Sequence, residues 1–349
     1  MTNRIALGLP RRLARGVLRG ALALLGLLLI LLLAGDLRLR WAETLTRQQA
    51  APSQGRWLPA GDVSLYVQEF GDEAAPLLLL VHGTGAWSGT WVSNVDAMVA
   101  AGYRVMAIDL PPFGFSGRPV NRDYSRAAQA RRLLALIDGL HRGPVTLLGH
   151  SYGGGPAAEA AMRGPDRVRD LILVDAAIGL SEDVIRPDPP VWTGRLLGVR
   201  PLRTALLSGV GTLPALSGFW LRQFVARKEV VTPARTAIYQ QPFGVRGFTE
   251  GLGDWGYQFA FDDHGAWSSK PQGFRQLRMP LHLVWGELDT ITPPAQARQL
   301  QGLAPRATLT LLAGVGHIPQ IENVEQFNQH LAGLLRELHR PTQGVDGAR

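Results

Sequence analysis

The sequence predicts an α/β fold, a doubly wound, mostly parallel sheet carrying a helical cap insertion, with an N-terminal transmembrane helix ahead of it. Three observations lead there. Short, continuously apolar runs such as Leu77–Val81 read as strands covered on both faces, and helical sequence follows them at the spacing of repeated strand–helix units. Between Ser181 and Lys270 that rhythm breaks into a Pro- and Trp-rich region. Ahead of it all, Gly20–Gly35 is an almost pure run of Leu, Ile, Ala and Gly.

Composition limits what the chain does. Its 349 residues are enough to bury a substantial core, and the 46% hydrophobic content is that of a globular protein. The formal charge of +8 is concentrated at one end. Residues 1–40 hold seven arginines (Arg4, Arg11, Arg12, Arg15, Arg19, Arg38 and Arg40) against Asp36 alone, so the body is close to neutral. A nucleic-acid partner needs a basic stripe on the folded domain, and none is expected here. With no cysteine, thiol nucleophiles, disulfides and zinc–thiolate sites are excluded.

Residues 1–40 form a basic segment and membrane anchor. The apolar run is slightly short of the ~20 residues that cross a bilayer, but Val17 and Leu18 extend it and Arg19 can snorkel, which puts residues 17–35 in the membrane. A cleaved signal peptide shares the basic start and apolar centre, yet no small-x-small cleavage site follows. The excess of arginine before the span keeps the N-terminus cytoplasmic and the body outside. Residues 41–56 read as a polar linker.

The core begins at residue 57 and its first part runs to 180. Val63–Phe70 alternates like a half-buried strand, Leu77–Val81 and Tyr103–Ile108 read as buried strands, and Trp91–Ala101 and Ser125–His141 as helices. Val145–Leu148 is the next strand, Ala157–Met162 a helix, and Leu171–Val174 a further strand. Residues 181–270 are then a helical lid expected to lie over the carboxyl ends of the strands, where ligands bind in open α/β sheets. Residues 271–340 complete the core with strands Leu281–Trp285 and Thr308–Leu312, and 341–349 are a tail.

The motif that orders the chain is Gly149-His-Ser-Tyr-Gly153. It follows a strand and precedes a helix, so Ser151 is lifted clear at a sharp turn where larger side chains in place of Gly149 or Gly153 would collide with neighbouring elements. The helix start aims N–H groups at any anion forming beside the hydroxyl. Three further motifs stand in order around it: His82-Gly-Thr-Gly85, Asp109-Leu-Pro-Pro-Phe-Gly-Phe-Ser116, and the pair Trp285-Gly-Glu-Leu-Asp289 and Gly314-Val-Gly-His317. In this combination the chain resembles the α/β-hydrolase superfamily over residues 57 to 338, and the order matches what that family requires.

A serine hydroxyl needs a base within hydrogen-bond reach, and the base needs an orienting carboxylate. His317 is the candidate base and Asp289 the candidate acid, each following a strand, so that both emerge at the edge that carries Ser151. Asp175, at the end of the strand after the nucleophile, is the rival acid. The backbone N–H of Tyr152 is one donor to a developing oxyanion, and the resemblance implies that of Thr84 as the second, each typically worth ~3 kcal/mol. His82 and Gly83 are read as a structural turn, His150 as packing, and Asp109 as a holder of its loop. Phe261-Asp-Asp-His264 is read as a solvated loop, with no metal or other cofactor expected.

Serine as nucleophile selects acyl chemistry. Related dehalogenases and epoxide hydrolases use an aspartate whose alkyl ester water can open, whereas an alkyl ether on Ser151 offers no such exit. A small or lipid-like ester is therefore the expected substrate. Carbon–carbon hydrolysis, perhydrolysis, and a silent relative that only binds hydrophobic ligands are the alternatives.

Overall fold

The computed structural model describes residues 11–180, 191–261 and 265–339. Asp262, Asp263, His264 and the insertion's residues 181–190 lie outside these, as do the first ten and last ten residues. Eight strands form one sheet in the order β1-β2-β4-β3-β5-β6-β7-β8. β1 (Gly55–Ala60) and β2 (Val63–Phe70) pair antiparallel, and β2 runs antiparallel to β4 (Arg104–Ile108). From β4 through β3 (Leu77–Val81), β5 (Val145–His150), β6 (Val168–Val174), β7 (Leu281–Gly286) and β8 (Ala307–Leu312) every pair is parallel.

Helices α1 (Arg11–Ala42), α2 (Val95–Ala100), α3 (Arg126–Gly139) and α4 (Gly154–Arg163) come before the insertion. The insertion holds α5 (Val191–Gly198), α6 (Arg200–Gly209), α7 (Pro214–Phe224), α8 (Pro233–Gln240) and α9 (Phe248–Phe261), and α10 (Pro294–Leu303) and α11 (Val324–His339) follow. Strand alternation sorts the core into two layers. Leu79, Val81, Leu147 and Leu283 face Leu133, Leu136, Ala157 and Leu300 of α3, α4 and α10. Leu78, Leu80, Leu148 and Val284 face Met98, Phe327 and Leu331 of α2 and α11. With both faces covered, central strands such as β3, β4 and β7 are buried along their whole length, which is why their sequences read as continuous apolar runs.

β3 lies between β4 and β5, so the chain winds one way from β3 and the other way after β4. The carboxyl ends of β3 and β5 adjoin at this switch, and the pairing of Val81 with Gly149 sets the loop after β3 beside the turn after β5. The sequence therefore builds a crevice where the two Gly-rich motifs meet.

Three local differences from the sequence reading have physical causes. β1 is an edge strand containing Pro59, a residue tolerated there but not in a central strand, so its composition conceals it. The helix expected over 91–101 is a 3₁₀ turn at Ser88–Trp91 followed by α2. The polar stretch expected as a linker is not free of the body. Leu45 N–H donates to Gly244 O (3.0 Å), Arg246 N–H donates to Leu45 O (3.0 Å), and Glu43 accepts from Thr249 N–H (2.8 Å). Its polar groups are spent on partners some two hundred positions away, a use that local pattern does not reveal.

Candidate active site

Ser151 sits at φ 50, a left-handed conformation that costs a non-glycine residue about 1–3 kcal/mol. The surroundings over-determine it. A Cβ on Gly149 would lie 2.6 Å from Gly153 O, and one on Gly153 would lie 2.4 Å from His82 O, so neither position tolerates a side chain. A Cβ on Gly83 would meet His150 Nδ1 at 2.8 Å and Ser151 Cβ at 2.9 Å. Glycine at these positions lets the β3 loop and the serine turn close on each other. Immediately beyond the turn, α4 begins at Gly154 with its N-terminus toward the hydroxyl.

The hydroxyl is in line with a hydrogen-bonded relay. His317 Nε2 lies 2.8 Å from Ser151 Oγ, and His317 Nδ1 lies 2.9 Å from Asp289 Oδ2. All three side chains are buried. Asp289 also accepts from the Thr292 hydroxyl (2.6 Å) and from the N–H groups of Ile291 (2.8 Å) and Thr292 (3.0 Å). Burial by itself would raise this carboxyl, but the hydrogen bond and charge of His317, with the Thr292 hydroxyl, outweigh it and hold the group below the ordinary carboxylate range.

Asp175 lies behind the relay. It has φ 43 and accepts from Gly286 N–H at 2.8 Å, which pins it at the ends of β6 and β7. Burial, followed by the negative charge of Asp289, pushes its carboxyl well above the usual range. Its Oδ2 has no hydrogen-bond partner. The two carboxyls are thus shifted in opposite directions, Asp289 downward against the imidazole and Asp175 upward behind it. Asp175, Asp289 and His317 place ligand-type atoms within 4.8 Å of one another, the one such trio of His, Asp or Glu among the described residues. The Asp289 and His317 atoms in this trio are already paired with each other, with Thr292 and with Ser151, an arrangement suited to holding a proton.

The loops that carry these groups are themselves held. His82 Nδ1 is 2.8 Å from Gly83 O and its Nε2 accepts from Leu110 N–H at 3.0 Å. Burial lowers its pKa to about 4, so the ring is neutral with the proton on Nδ1, donated to Gly83 O. Asp109 accepts from Ser88 N–H (2.6 Å) and Phe115 N–H (2.8 Å), closing its own loop. His150 does more than pack: its Nε2 donates to His317 O at 2.9 Å, and burial lowers its pKa to about 3.

Ser151 and His317 open onto an apolar pocket bounded by Thr84 and by Trp220, Leu221, Phe224, Phe243 and Leu252 of the insertion. Tyr152 follows Ser151, but its ring turns into the core against Phe113, Trp255 and Phe259. Only its backbone is at the turn. The structure therefore brings together Ser151, His317, Asp289, Thr84 and the Tyr152 backbone, with His82, Gly83, Gly149 and Gly153 as their frame.

Sequence reasoning missed Glu322. Buried beneath the His317 loop, its Oε2 accepts from Gly316 N–H (3.0 Å), Ala226 N–H (2.8 Å) and Arg227 N–H (3.1 Å), and its Oε1 from Ile318 N–H (3.1 Å). One carboxylate ties the residues flanking His317 to the insertion. An acid five residues after the histidine, next to Ile321, is the signal that was available.

The profile of a family described as alpha/beta hydrolase fold matches residues 76–324. Among curated proteins, the chain is 28% identical over 288 residues to the dihydrolipoyllysine-residue acetyltransferase component of an acetoin cleaving system from Pseudomonas putida, covering 77% of this chain and 66% of that protein. It is 27% identical over 298 residues to a 2-hydroxy-6-oxononadienedioate/2-hydroxy-6-oxononatrienedioate hydrolase from Paraburkholderia phymatum, covering 84% of this chain and 99% of that protein. The chain thus spans somewhat under two thirds of the first relative and nearly all of the second. Among solved structures it is similar in fold to a membrane phospholipase A, described as a bacterial virulence factor, with a TM-score of 0.65 and 23% identity over 95% of this chain and 100% of that chain.

Proposed function

The chain belongs to the α/β-hydrolase fold family, and we propose that within it this protein is a membrane-anchored serine hydrolase that cleaves carboxylic esters through an acyl-enzyme. The observation that carries the reading is the continuous hydrogen-bonded line from Ser151 through His317 to Asp289, opening directly into an apolar pocket.

In this mechanism Ser151 Oγ attacks the ester carbonyl while its proton passes to His317 Nε2. Asp289 fixes the ring and offsets its transient positive charge. The oxyanion is held by the backbone N–H groups of Thr84 and Tyr152, with the start of α4 behind them. His317 then gives the proton to the leaving alkoxide. A water, deprotonated by the same nitrogen, splits the acyl-enzyme and releases the acid.

The pocket's chemistry favours an ester of an apolar acid over the kind of substrate that the relative from Paraburkholderia phymatum is named for. That relative's substrate is a dioate, carrying two carboxylates. Burying such a dianion without cations is costly. Among the described residues, the pocket lining holds no Lys or Arg.

Anchoring rests on α1. Within Arg15–Ala42 an 18-residue window has a mean hydropathy of 2.6, and residues 17–35 extend about 28 Å at the helical rise, enough to cross a bilayer. The arginines ahead of the span favour an extracytoplasmic catalytic body.

The test is labelling by a fluorophosphonate together with turnover of p-nitrophenyl esters of increasing acyl length, in wild type and in Ser151→Ala. The expected result is one adduct on Ser151 and ester turnover that the substitution abolishes. A folded wild-type protein that takes no label overturns the reading.

A further inference from the structure

The insertion is packed against the membrane helix as well as the sheet. A Cβ on Gly35 of α1 would lie 3.0 Å from Ala205 Cα of α6, so the two helices touch backbone to backbone. Arg38 Nη2 donates to Thr212 O (2.6 Å), holding the turn between α6 and α7. Leu29, Leu32 and Leu33 of α1 line a groove with Pro201 and Ala205 of α6. These three leucines belong to the apolar run itself. With residues 17–35 in a bilayer, Gly35 lies at its outer boundary, and Ala205 of α6 lies against it. The start of the insertion is therefore at the level of that boundary.

The surface there suits that position. Trp192, Leu196 and Val199 in and just after α5, Leu206 and Val210 at the end of α6, and Phe219 and Trp220 on α7 are all exposed, Trp192 to 65%. Elsewhere in the body beyond Thr46, exposed large apolar side chains among the described residues are scattered: Val92, Val120, Trp267, Leu288 and Ile291. Scattered ones need no explanation, but a concentration along three successive helices does. Exposed Trp41, just past the span, and exposed Arg195 on α5 add the aromatic and cationic groups that sit at the headgroup level. The same surface reaches the site. Trp220 and Gly211 line the pocket that holds Ser151, and Trp220 Nε1 donates to Val210 O at 2.9 Å, joining α7 to the end of α6.

We infer that α5, α6 and α7 form a second membrane contact, seated in the headgroup–acyl boundary of the bilayer that α1 spans, so that the pocket takes amphiphilic esters directly from the lipid surface through the rim at Gly211 and Trp220. An interfacial helix buries its apolar side about 5–10 Å into that boundary, and the contact at Gly35 holds α6 at its level. The inference rests on the anchor reading of α1 and names the source of the substrate.

Because the natural chain has no cysteine, single cysteines report on one position each. The full chain carrying Trp192→Cys, Leu196→Cys or Phe219→Cys is labelled with an environment-sensitive fluorophore and reconstituted in vesicles of phosphatidylcholine and phosphatidylglycerol. Arg142→Cys, exposed before β5 at the opposite edge of the sheet, is the control. The expected result is quenching of the first three by nitroxide-bearing lipid and of the control by aqueous iodide. Iodide quenching of all four alike overturns the inference. In parallel, Trp192→Ser combined with Leu196→Ser, neither lining the pocket, is expected to lower turnover of a long-chain ester presented in the vesicles about tenfold while leaving a short ester in solution unchanged. Equal turnover of both esters also overturns it. If the wild type cleaves neither ester, the hydrolase reading fails, and the quenching pattern still decides the contact.

Discussion

Glu322→Gln isolates what the buried clamp beneath His317 contributes. In the native chain one carboxylate accepts four backbone N–H groups, three of them on Oε2. A glutamine keeps one acceptor. With its oxygen toward Gly316, Ala226 and Arg227, its amide faces Ile318 N–H, leaving a buried donor against a donor at a cost of about 1–3 kcal/mol. The three retained bonds become neutral and lose roughly half their strength, about 0.5–1 kcal/mol each. The expected loss of stability is therefore about 2.5–6 kcal/mol, read as a lower midpoint in urea unfolding at pH 7. His317 lies between Gly316, whose bond weakens, and Ile318, whose bond is lost, so its ring loses its fixed approach to Ser151, and a displacement near 1 Å costs about a hundredfold in rate. The expected kcat on a soluble ester falls accordingly. A midpoint and kcat both equal to wild type would refute the clamp.

Two further predictions follow from the charges at the site. Asp289→Asn removes the group that orients His317 and should lower kcat by about three to four orders of magnitude, whereas Asp175→Asn keeps a donor toward Asp289 and should cost far less; equal losses in steady-state kinetics would contradict the division between the two carboxyls. His82, neutral with its pKa at about 4, contributes stability that is fully present above the ~6.5 of an exposed imidazole and is lost as pH falls through that interval. The difference in unfolding free energy between wild type and His82→Gln should thus shrink by on the order of 3 kcal/mol from pH 7 to pH 4, and a constant difference would mean that the ring is not held neutral.

What the sequence revealed and what it withheld divide along a physical line. Central strands are covered on both faces, so they are written as apolar runs, and each Gly-rich motif follows a strand. Chain order and strand ends then suffice to bring Ser151, Asp289, His317 and Thr84 to one edge, because a parallel sheet delivers every carboxyl end to the same side. Glu322, the His150 bond to the His317 backbone, and the raised carboxyl of Asp175 obey no such rule. Each depends on which backbone groups a folded loop happens to present, and on burial that composition does not report. Helix α1 is the sharpest case. Its apolar run was plain, but Gly35, Arg38 and Glu43 looked like the end of a span and the start of a linker. In the fold they are where α1 and the residues after it grip α6, the following turn and α9. Glycine is needed at position 35 because backbone meets backbone there, and Glu43 is buried because Thr249 supplies both of its donors. On the proposed reading of α1 as a membrane span, this grip on the insertion would fix the height of the pocket's rim above the bilayer, and so couple where the protein sits to what can enter it.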